Sequence, residues 1–592
     1  MKLTNKTVLL IILLVAVFLR FYNFFELPFT HDEFSAFFRL QFDSFSELIE
    51  KGVKVDGHPA GIQVFLYYWT KLFGQQEWVV KLPFAIFGVS AVYLIYLIGK
   101  KWFNETVGLI SSAYLASIQF AVMYSQMARP YISGLFFSLL MIYYWGNVVK
   151  SPEKDFWKNS ILFIVSASLC AYNHHFSLLF AAIVATSGLF FIRREFLIKY
   201  LLSCLSIFVL YIPHLNIFFY QLNIGGVEGW LAKPANDFIL KFVYYIFNYS
   251  IPVVVLTLLV VLFGLRDFRK NDAKARLIIL SFVWFILPFL VGFFYSRYVN
   301  AVLQFSVLIF SFPLLFFVLF GYMKEKAAKV NLLLVTLILS TCTLTLIFSR
   351  KHYSLFFNSV YSQVLTDCEC FKKERDSTIF IIESHPKISD YYLTKLDIDT
   401  SGIDFFNKSL DIKELKKFLV QEHKNHNNLF LGCLSSIQPN IVPLIKDYYP
   451  TIEAQKNYFG GTTYLFSKDE NKTEKTISYV SFDEAISDNW TSIDTMRIIS
   501  LKGQEGNNGY FIFSENEWGP TLTLPLKDVI LNKNNFIDIS VDAKSTESFG
   551  DVVLVASLET ESEAIYWSGT DFSTYHIDNG TMPEWQRFHH SV

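Results

Sequence analysis

The chain has 592 residues, of which 53 % are hydrophobic and 62 are phenylalanine, with 51 Lys and Arg against 52 Asp and Glu and a net charge of −1. No ordinary soluble domain carries that apolar load, so the composition indicates a polytopic α-helical membrane protein. There is no basic excess of the kind a nucleic-acid partner requires, and 6 cysteines in a chain of this length do not make a disulfide scaffold.

The first apolar run extends from Thr7 to Phe21, behind Lys2 and Lys6. No small-residue cleavage site follows it, so it is expected to be a retained anchor rather than a signal peptide. Just beyond it stands Phe29-Thr30-His31-Asp32-Glu33. Water at a membrane boundary keeps adjacent carboxylates ionised, and the nearby low dielectric strengthens their action on a proton or a metal. The plainer reading is that Asp32 and Glu33 cap an interfacial helix beginning near Phe34, because acids favour helix N-termini. Phe34, Phe37, Phe38, Phe42 and Phe45 recur at helical spacing among polar residues, as in a helix lying in the interface. Ala60 to Phe73 carries Phe65, Tyr67, Tyr68 and Trp69, aromatics typical of a membrane boundary. Between these segments Asp56-Gly57-His58-Pro59 has the composition of a turn.

Further apolar runs lie at about 79–99, 104–125, 130–148, 159–174, 176–192, 198–219, 249–265, 277–295, 299–321 and 329–348, which makes about eleven spans of bilayer length. Lys100 and Lys101, Lys150 and Lys154, Arg193 and Arg194, the group Arg266, Arg269, Lys270, Lys274 and Arg276, and finally Lys324, Lys326 and Lys329 fall at alternate span ends. Those ends are expected to be cytoplasmic. His31, Asp32, Glu33, Asp56, His58, Arg129, His174, His175 and Arg297 then share the opposite side, although they come from distant parts of the chain. Taken singly each has a plain explanation: Arg129 and Arg297 snorkel to the interface, and the histidine pair satisfies a helix end. Taken together they place acids, imidazoles and guanidiniums where one pocket can gather them. No span has an acid near its centre, which argues against an ion-coupled transporter.

After Ser349 the hydropathy collapses. We expect a membrane domain over 1–350, a linker over 351–375, a small α/β domain over 376–470 and a jelly-roll-like β-sandwich over 471–592. In the α/β part, Ile412, Leu415, Phe418 and Leu419 form one helical stripe, and no Gly-rich phosphate loop opens a helix. In the last part, Ile537, Ile539, Val541 and Ala543 alternate with polar residues. The segment from Trp585 to Val592 resembles the start of another strand, so the sandwich is expected to be incomplete. Trp567 and Trp585 have the residue type of sugar-stacking platforms, although core packing is the commoner use of tryptophan. Cys170, Cys204 and Cys342 lie in spans, and Cys433 has Cys368 and Cys370 as alternative disulfide partners.

The ordered series His31-Asp32-Glu33, Asp56-Gly57-His58-Pro59, Leu82-Pro83-Phe84-Ala85-Ile86-Phe87-Gly88, Tyr124-Ser125-Gln126-Met127-Ala128-Arg129-Pro130-Tyr131, Tyr172-Asn173-His174-His175 and Ser296-Arg297-Tyr298 resembles bacterial glycosyltransferases of the protein O-mannosyltransferase type. These belong to glycosyltransferase family 39 in the GT-C class, to which the lipid A aminoarabinose transferases are related. The resemblance covers roughly residues 1–350 and departs from the usual pattern at Ala60, where a second proline is common, and at Met127, where an acid is common.

The resemblance implies an inverting transfer of a sugar from a polyprenyl-phosphate donor to an acceptor hydroxyl of a protein, lipid or cell-envelope glycan. It implies Asp32 as general base, with Glu33 orienting the acceptor or holding Asp32. Arg129 and Arg297 would grip the donor phosphate, with His58, His174 and Tyr298 as further substrate contacts. A divalent cation, known in some GT-C enzymes, would find candidate ligands in Asp56 and His58. The implied location is a bacterial inner membrane with the C-terminal domains on the periplasmic side. The competing reading is a non-catalytic transporter of lipid-linked sugars or a glycan-binding membrane scaffold.

Overall fold

A computed structural model describes residues 3–592 apart from 151, 225–230, 267–271, 375–376, 407–410, 435–437 and short stretches between 470 and 581. Arg269 and Lys270, both assigned to a cytoplasmic end, lie outside the described residues. The chain divides into two compact units, Met1–Ser359 and Val360–Val592.

The first unit is helical and membrane-spanning. Among the described residues six helices are long and apolar enough to cross a bilayer: Asn5–Glu26, Glu77–Trp102, Ile132–Lys150, Arg194–Asn223, Asp272–Tyr298 and Ala328–Leu355. Two bent pairs, each taken as one span, bring the number to as many as eight by length and composition among the described residues. The expected total of about eleven counts apolar runs, and the three runs that are not among these eight are 159–174, 176–192 and 299–321. The run 104–125 bends by 61° between Glu105–Ser117 and Gln119–Ser125, and the run 249–265 follows an 85° bend after Phe238–Ile246. The run 299–321 contains only the short helices Ser306–Leu308 and Leu314–Phe320. Phe156–Asn173 and His175–Ser187 are separated by His174, whose extended backbone and side-chain cap start the second helix.

The helices approach closely where side chains are small. A Cβ on Gly99 would lie 2.8 Å from the Gly108 Cα, and one on Gly108 would lie 2.6 Å from the Tyr96 carbonyl. This contact between Glu77–Trp102 and Glu105–Ser117 therefore requires glycine on both sides. The helix expected to lie in the interface differs in extent and orientation. It runs only from His31 to Phe38, and it turns Phe34 and Phe37 into the protein, at 1 % and 6 % exposure.

The second unit is built on a five-stranded sheet. Its strands are β1 (Thr378–Glu383), β2 (Ile403–Phe406), β3 (Asn428–Cys433), β4 (Thr451–Tyr458) and β5 (Gly461–Ser467), in the order β2-β1-β3-β5-β4. β1 pairs in parallel with β2 and β3, and β5 runs antiparallel between β3 and β4. Ile379, Ile381, Leu429, Leu431 and Phe466 meet Ile412, Leu415 and Leu419 in the core.

Beyond residue 470 the described strands form four separate antiparallel pairs. Phe572, Tyr575 and Phe588 from this part join the core of the five-stranded sheet instead of an inter-sheet core of their own. Trp567 and Trp585, given to a core, are 61 % and 38 % exposed, and the neighbours Ile565 and Tyr566 are exposed as well. All six cysteines are free, including Cys433 and its two candidate partners.

Phe588 is fully buried and stacks on Phe572 with ring centroids 3.9 Å apart. Phe588→Ala should therefore destabilise the second unit by about 3–5 kcal/mol. Denaturant unfolding followed by proteolysis of that unit measures this, and an unchanged midpoint would show that the ring is not part of its core.

Candidate functional site

The site is assembled around a buried ion pair. Thr30 caps the helix His31–Phe38, and Glu33 completes a capping box by accepting from the Thr30 N–H at 2.9 Å and the Thr30 hydroxyl at 3.0 Å. The capping explanation of Glu33 thus holds, but the carboxylate does more. It accepts from Lys81 Nζ at 2.7 Å and, through its other oxygen, from the Ala128 N–H at 2.7 Å. Lys81 also donates to the carbonyls of Pro28 at 2.8 Å and Gln126 at 3.1 Å. Both side chains are buried, at 0 % and 1 % exposure. The pair joins the residue 28–33 loop to the residue 126–129 turn.

Asp32 follows a different course. It sits in the first turn of the same helix and is exposed. Its carboxylate interacts electrostatically with the phenols of Tyr124 and Tyr131. The Tyr131 ring lies 6.4 Å from His58 and 6.2 Å from His174, and those two imidazoles are 5.1 Å apart. Arg129 Nη2 is 3.3 Å from His58 Nδ1, and His58 Nδ1 is in turn 3.3 Å from Asp56 Oδ1. A proton on Nδ1 is donated to Asp56, whereas without one Nδ1 accepts from Arg129.

Asp56 also pairs with Arg39 at 2.7 Å. Burial opposes its ionisation, but the neighbouring charges of His58, Arg129 and Arg39 outweigh burial and hold its carboxyl well below the usual carboxylate range. His174 Nδ1 accepts from the Phe176 N–H at 3.0 Å. That bond leaves the Nε2 atom of the neutral ring as the protonated donor.

The sequence assignments therefore separate into three groups. Asp32, Asp56, His58, Arg129 and His174 gather around Tyr131. Glu33 lies buried beneath them, with its oxygens already engaged. Arg297 donates to Asn236 and lies over Phe293, while Tyr298 stacks on Phe294 and is 77 % exposed.

Residues that the sequence analysis did not single out hold this arrangement. Gln221 donates to the carbonyls of Val53 at 2.9 Å and His58 at 2.8 Å, fixing the backbone of the Asp56–His58 turn. His214 Nε2 accepts from the Ala60 N–H at 3.0 Å, and Asn173 donates to the Pro130 carbonyl at 2.7 Å. Arg20 is fully buried and donates to Ser125 Oγ at 2.9 Å and to the carbonyls of Ala116 at 2.8 Å and Leu115 at 3.1 Å. The only sequence signal for Arg20 and Lys81 was a cation inside an otherwise apolar run.

A divalent cation does not fit the Asp56–His58 pair. Asp56 faces two guanidiniums, which repel a metal, and no group of three or more His, Cys, Asp or Glu side chains is placed to hold one among the described residues.

The sequence around this cluster has counterparts in known proteins. Residues 57–217 match the family described as dolichyl-phosphate-mannose-protein mannosyltransferase. His58, Arg129 and His174 fall inside that mannosyltransferase match, and Asp32, Glu33 and Asp56 precede it. YkcB of Bacillus subtilis (strain 168), whose name assigns it provisionally to the mannosyltransferases, is 28 % identical over 164 residues, 27 % of this chain. The matched region spans 23 % of YkcB.

Among solved structures, apo ArnT from Cupriavidus metallidurans aligns over 78 % of this chain and 97 % of its own, at 10 % identity and a TM-score of 0.47. The apo oligosaccharyltransferase of Archaeoglobus fulgidus aligns over 72 % of this chain and 69 % of its own, at 12 % identity and a TM-score of 0.35.

Two outcomes follow from the geometry. Lys81→Met leaves the Glu33 carboxylate buried without its cation and should destabilise the first unit by about 3–5 kcal/mol. Adding Glu33→Gln should recover most of that loss, as read by thermal unfolding in detergent. A single variant as stable as wild type would show that the pair carries no such load.

The second outcome concerns pH. A carboxyl whose folded pKa is depressed stabilises the fold above its unfolded value of about 3.9, and that contribution is lost as pH falls towards the folded value. Asp56→Asn should therefore be less stable than wild type at neutral pH, with the gap closing only below about pH 4. A gap that closes between pH 7 and 5 would contradict the assignment.

Proposed function

We propose that this chain is a membrane glycosyltransferase that moves a sugar from a polyprenyl-phosphate donor to an acceptor hydroxyl on the outer face of the membrane, with inversion at the anomeric carbon. The observation that carries the reading is the placement of one exposed carboxylate, Asp32, and one guanidinium, Arg129, on segments joined by the Glu33–Lys81 pair. The mannosyltransferase match over residues 57–217 supports the donor class. The alternation of Lys and Arg along the chain supports an orientation with the second unit on the outer side, and a bacterial plasma membrane is part of the proposal.

In this mechanism Asp32 accepts the proton of the acceptor hydroxyl as its oxygen attacks the anomeric carbon. The bond from that carbon to the phosphate oxygen breaks, and its electron pair leaves with the polyprenyl phosphate. This leaving group departs as a stable anion and needs cationic stabilisation rather than an acid. Arg129 supplies two-pronged hydrogen bonding to phosphate oxygens, and the Nε2–H of His174 adds a neutral donor. Asp56 and His58 are positioning residues, because His58 contacts the guanidinium and Asp56 acts on it through its charge and through His58. Glu33 holds the Asp32 helix and the Arg129 turn in register. We assign Arg297 and Tyr298 to outlying contacts with the donor lipid, at the end of the Asp272–Tyr298 span.

The test is turnover of a panel of polyprenyl-phosphate sugars by the purified full chain in lipid. Asp32→Asn should lower kcat by about 10²–10⁴-fold with binding of polyprenyl phosphate retained. Arg129→Gln should instead weaken that binding. Turnover unaffected by Asp32→Asn would remove Asp32 as base, and retention of the donor without turnover by wild type would favour transport.

A further inference from the structure

Three interruptions of helical structure meet away from the Asp32 cluster. They are the 61° bend after Ser117, the 85° bend between Phe238–Ile246 and Ile251–Leu265, and the widened turn Thr345–Ser349 that ends the helix Ala328–Leu344. Asn248 ties them together. It is fully buried, accepts from the Gln119 N–H at 2.8 Å, and donates to the Cys342 carbonyl at 3.3 Å and Thr345 Oγ1 at 3.0 Å. Within a membrane, irregular backbone is tolerated where it is packed in protein or lines a site.

Asn248 and the next residue, Tyr249, both adopt left-handed backbone angles, with φ of 61° and 49°. Asparagine visits this region readily, whereas for tyrosine it is a strained conformation. The strained conformation brings the Tyr249 ring to 5.1 Å from the Arg350 guanidinium. On another side, Arg350 Nε donates to the side-chain oxygen of Gln119. One face and one edge of the guanidinium are thus fixed. A snorkelling arginine has no such anchors. The two terminal nitrogens have no protein partner among the described residues.

We propose that Arg350, oriented by Gln119 and Tyr249, is a second binding site that takes the phosphate of a membrane lipid. The free fork of an immobilised guanidinium matches two phosphate oxygens. Leu344, Phe348 and Ile251, at 54 %, 72 % and 69 % exposure, provide an apolar surface nearby for the lipid chains. An unbroken aromatic line leads from the site to the proposed catalytic cluster. Tyr249 meets Tyr245 at 5.3 Å, Tyr245 meets Phe120 at 5.2 Å, Phe120 meets Tyr124 at 5.5 Å, and Tyr124 meets Tyr131 at 4.7 Å between ring centroids. A polyprenyl phosphate held at Arg350 would be either a donor on its way in or a product on its way out. The proposal rests on the membrane fold and not on the transferase reading.

The test measures binding and not turnover. The full chain in phosphatidylcholine nanodiscs is titrated with undecaprenyl phosphate, phosphatidylglycerol and phosphate-free undecaprenol, and bound lipid is counted by native mass spectrometry. Arg350→Gln should remove one equivalent of bound phosphate lipid, or weaken it about tenfold, without changing undecaprenol binding. Arg350→Lys, which keeps charge without the fork, should fall between the two and serves if Arg350→Gln does not fold. Gln119→Leu should weaken binding in the same direction.

Loss confined to undecaprenyl phosphate assigns the site to the polyprenyl carrier, and loss of phosphatidylglycerol assigns it to a bulk headgroup; both support the proposal. Wild-type binding of both phosphate lipids by Arg350→Gln and Gln119→Leu would overturn it. Because one equivalent is lost whether or not Arg129 holds another, failure of the transferase reading leaves this result interpretable.

Discussion

The arrangement of the helical unit around its candidate site depends on the ion pair of Glu33 and Lys81. Neither side chain reaches solvent, so each would be expensive to bury alone, and the attraction between them offsets desolvation only because the remaining hydrogen-bonding capacity is also used. The three ammonium hydrogens have three acceptors, and the carboxylate oxygens have the Thr30 and Ala128 donors as well. Such a fully satisfied cluster has little freedom to rearrange. It therefore fixes two segments that are distant in sequence, and each presents one functional group: Asp32 from the first and Arg129 from the second.

A second layer supports these groups by holding backbone rather than side chains. Gln221, His214 and Asn173 each bond to a peptide group in or beside the turns that carry His58 and Arg129. Arg20 does the same for the carbonyls released where the 104–125 run bends, and Gly88 makes room for it: a Cβ there would fall 2.1 Å from Ser125 Oγ. A helix interrupted inside a membrane exposes peptide groups that lipid cannot satisfy. The breaks persist because polar side chains from other helices satisfy those groups, and polar, irregular surface results where a phosphate or sugar can be bound.

Much of the cluster was legible because its members lie in short polar motifs between long apolar runs. Asp32, Asp56, His58, Arg129 and His174 stood out against phenylalanine-rich flanks, and their common side followed from the Lys and Arg pattern. Common side says nothing about lateral position, which is why Arg297 and Tyr298 were grouped with residues that they do not touch in the contacts described. Lys81 was not singled out, because its partner lies 48 residues away. The bend inside the 104–125 run escaped notice for a related reason, since hydropathy averages over Ile118 while the bend is held by tertiary hydrogen bonds. In the second unit residue type alone did not say whether Trp567 and Trp585 pack in a core, and both proved exposed.

The buried pair is proposed to hold Asp32, the proposed base, and Arg129, the proposed phosphate-binding group, in register. The most direct measurement is turnover of a polyprenyl-phosphate sugar by the Glu33→Gln/Lys81→Met double variant, which replaces two buried charges with neutral groups of similar size. The account predicts a folded protein that still binds polyprenyl phosphate but turns over about 10²-fold more slowly, the loss expected when reacting groups are misplaced by about 1 Å. A folded double variant with wild-type turnover would contradict it.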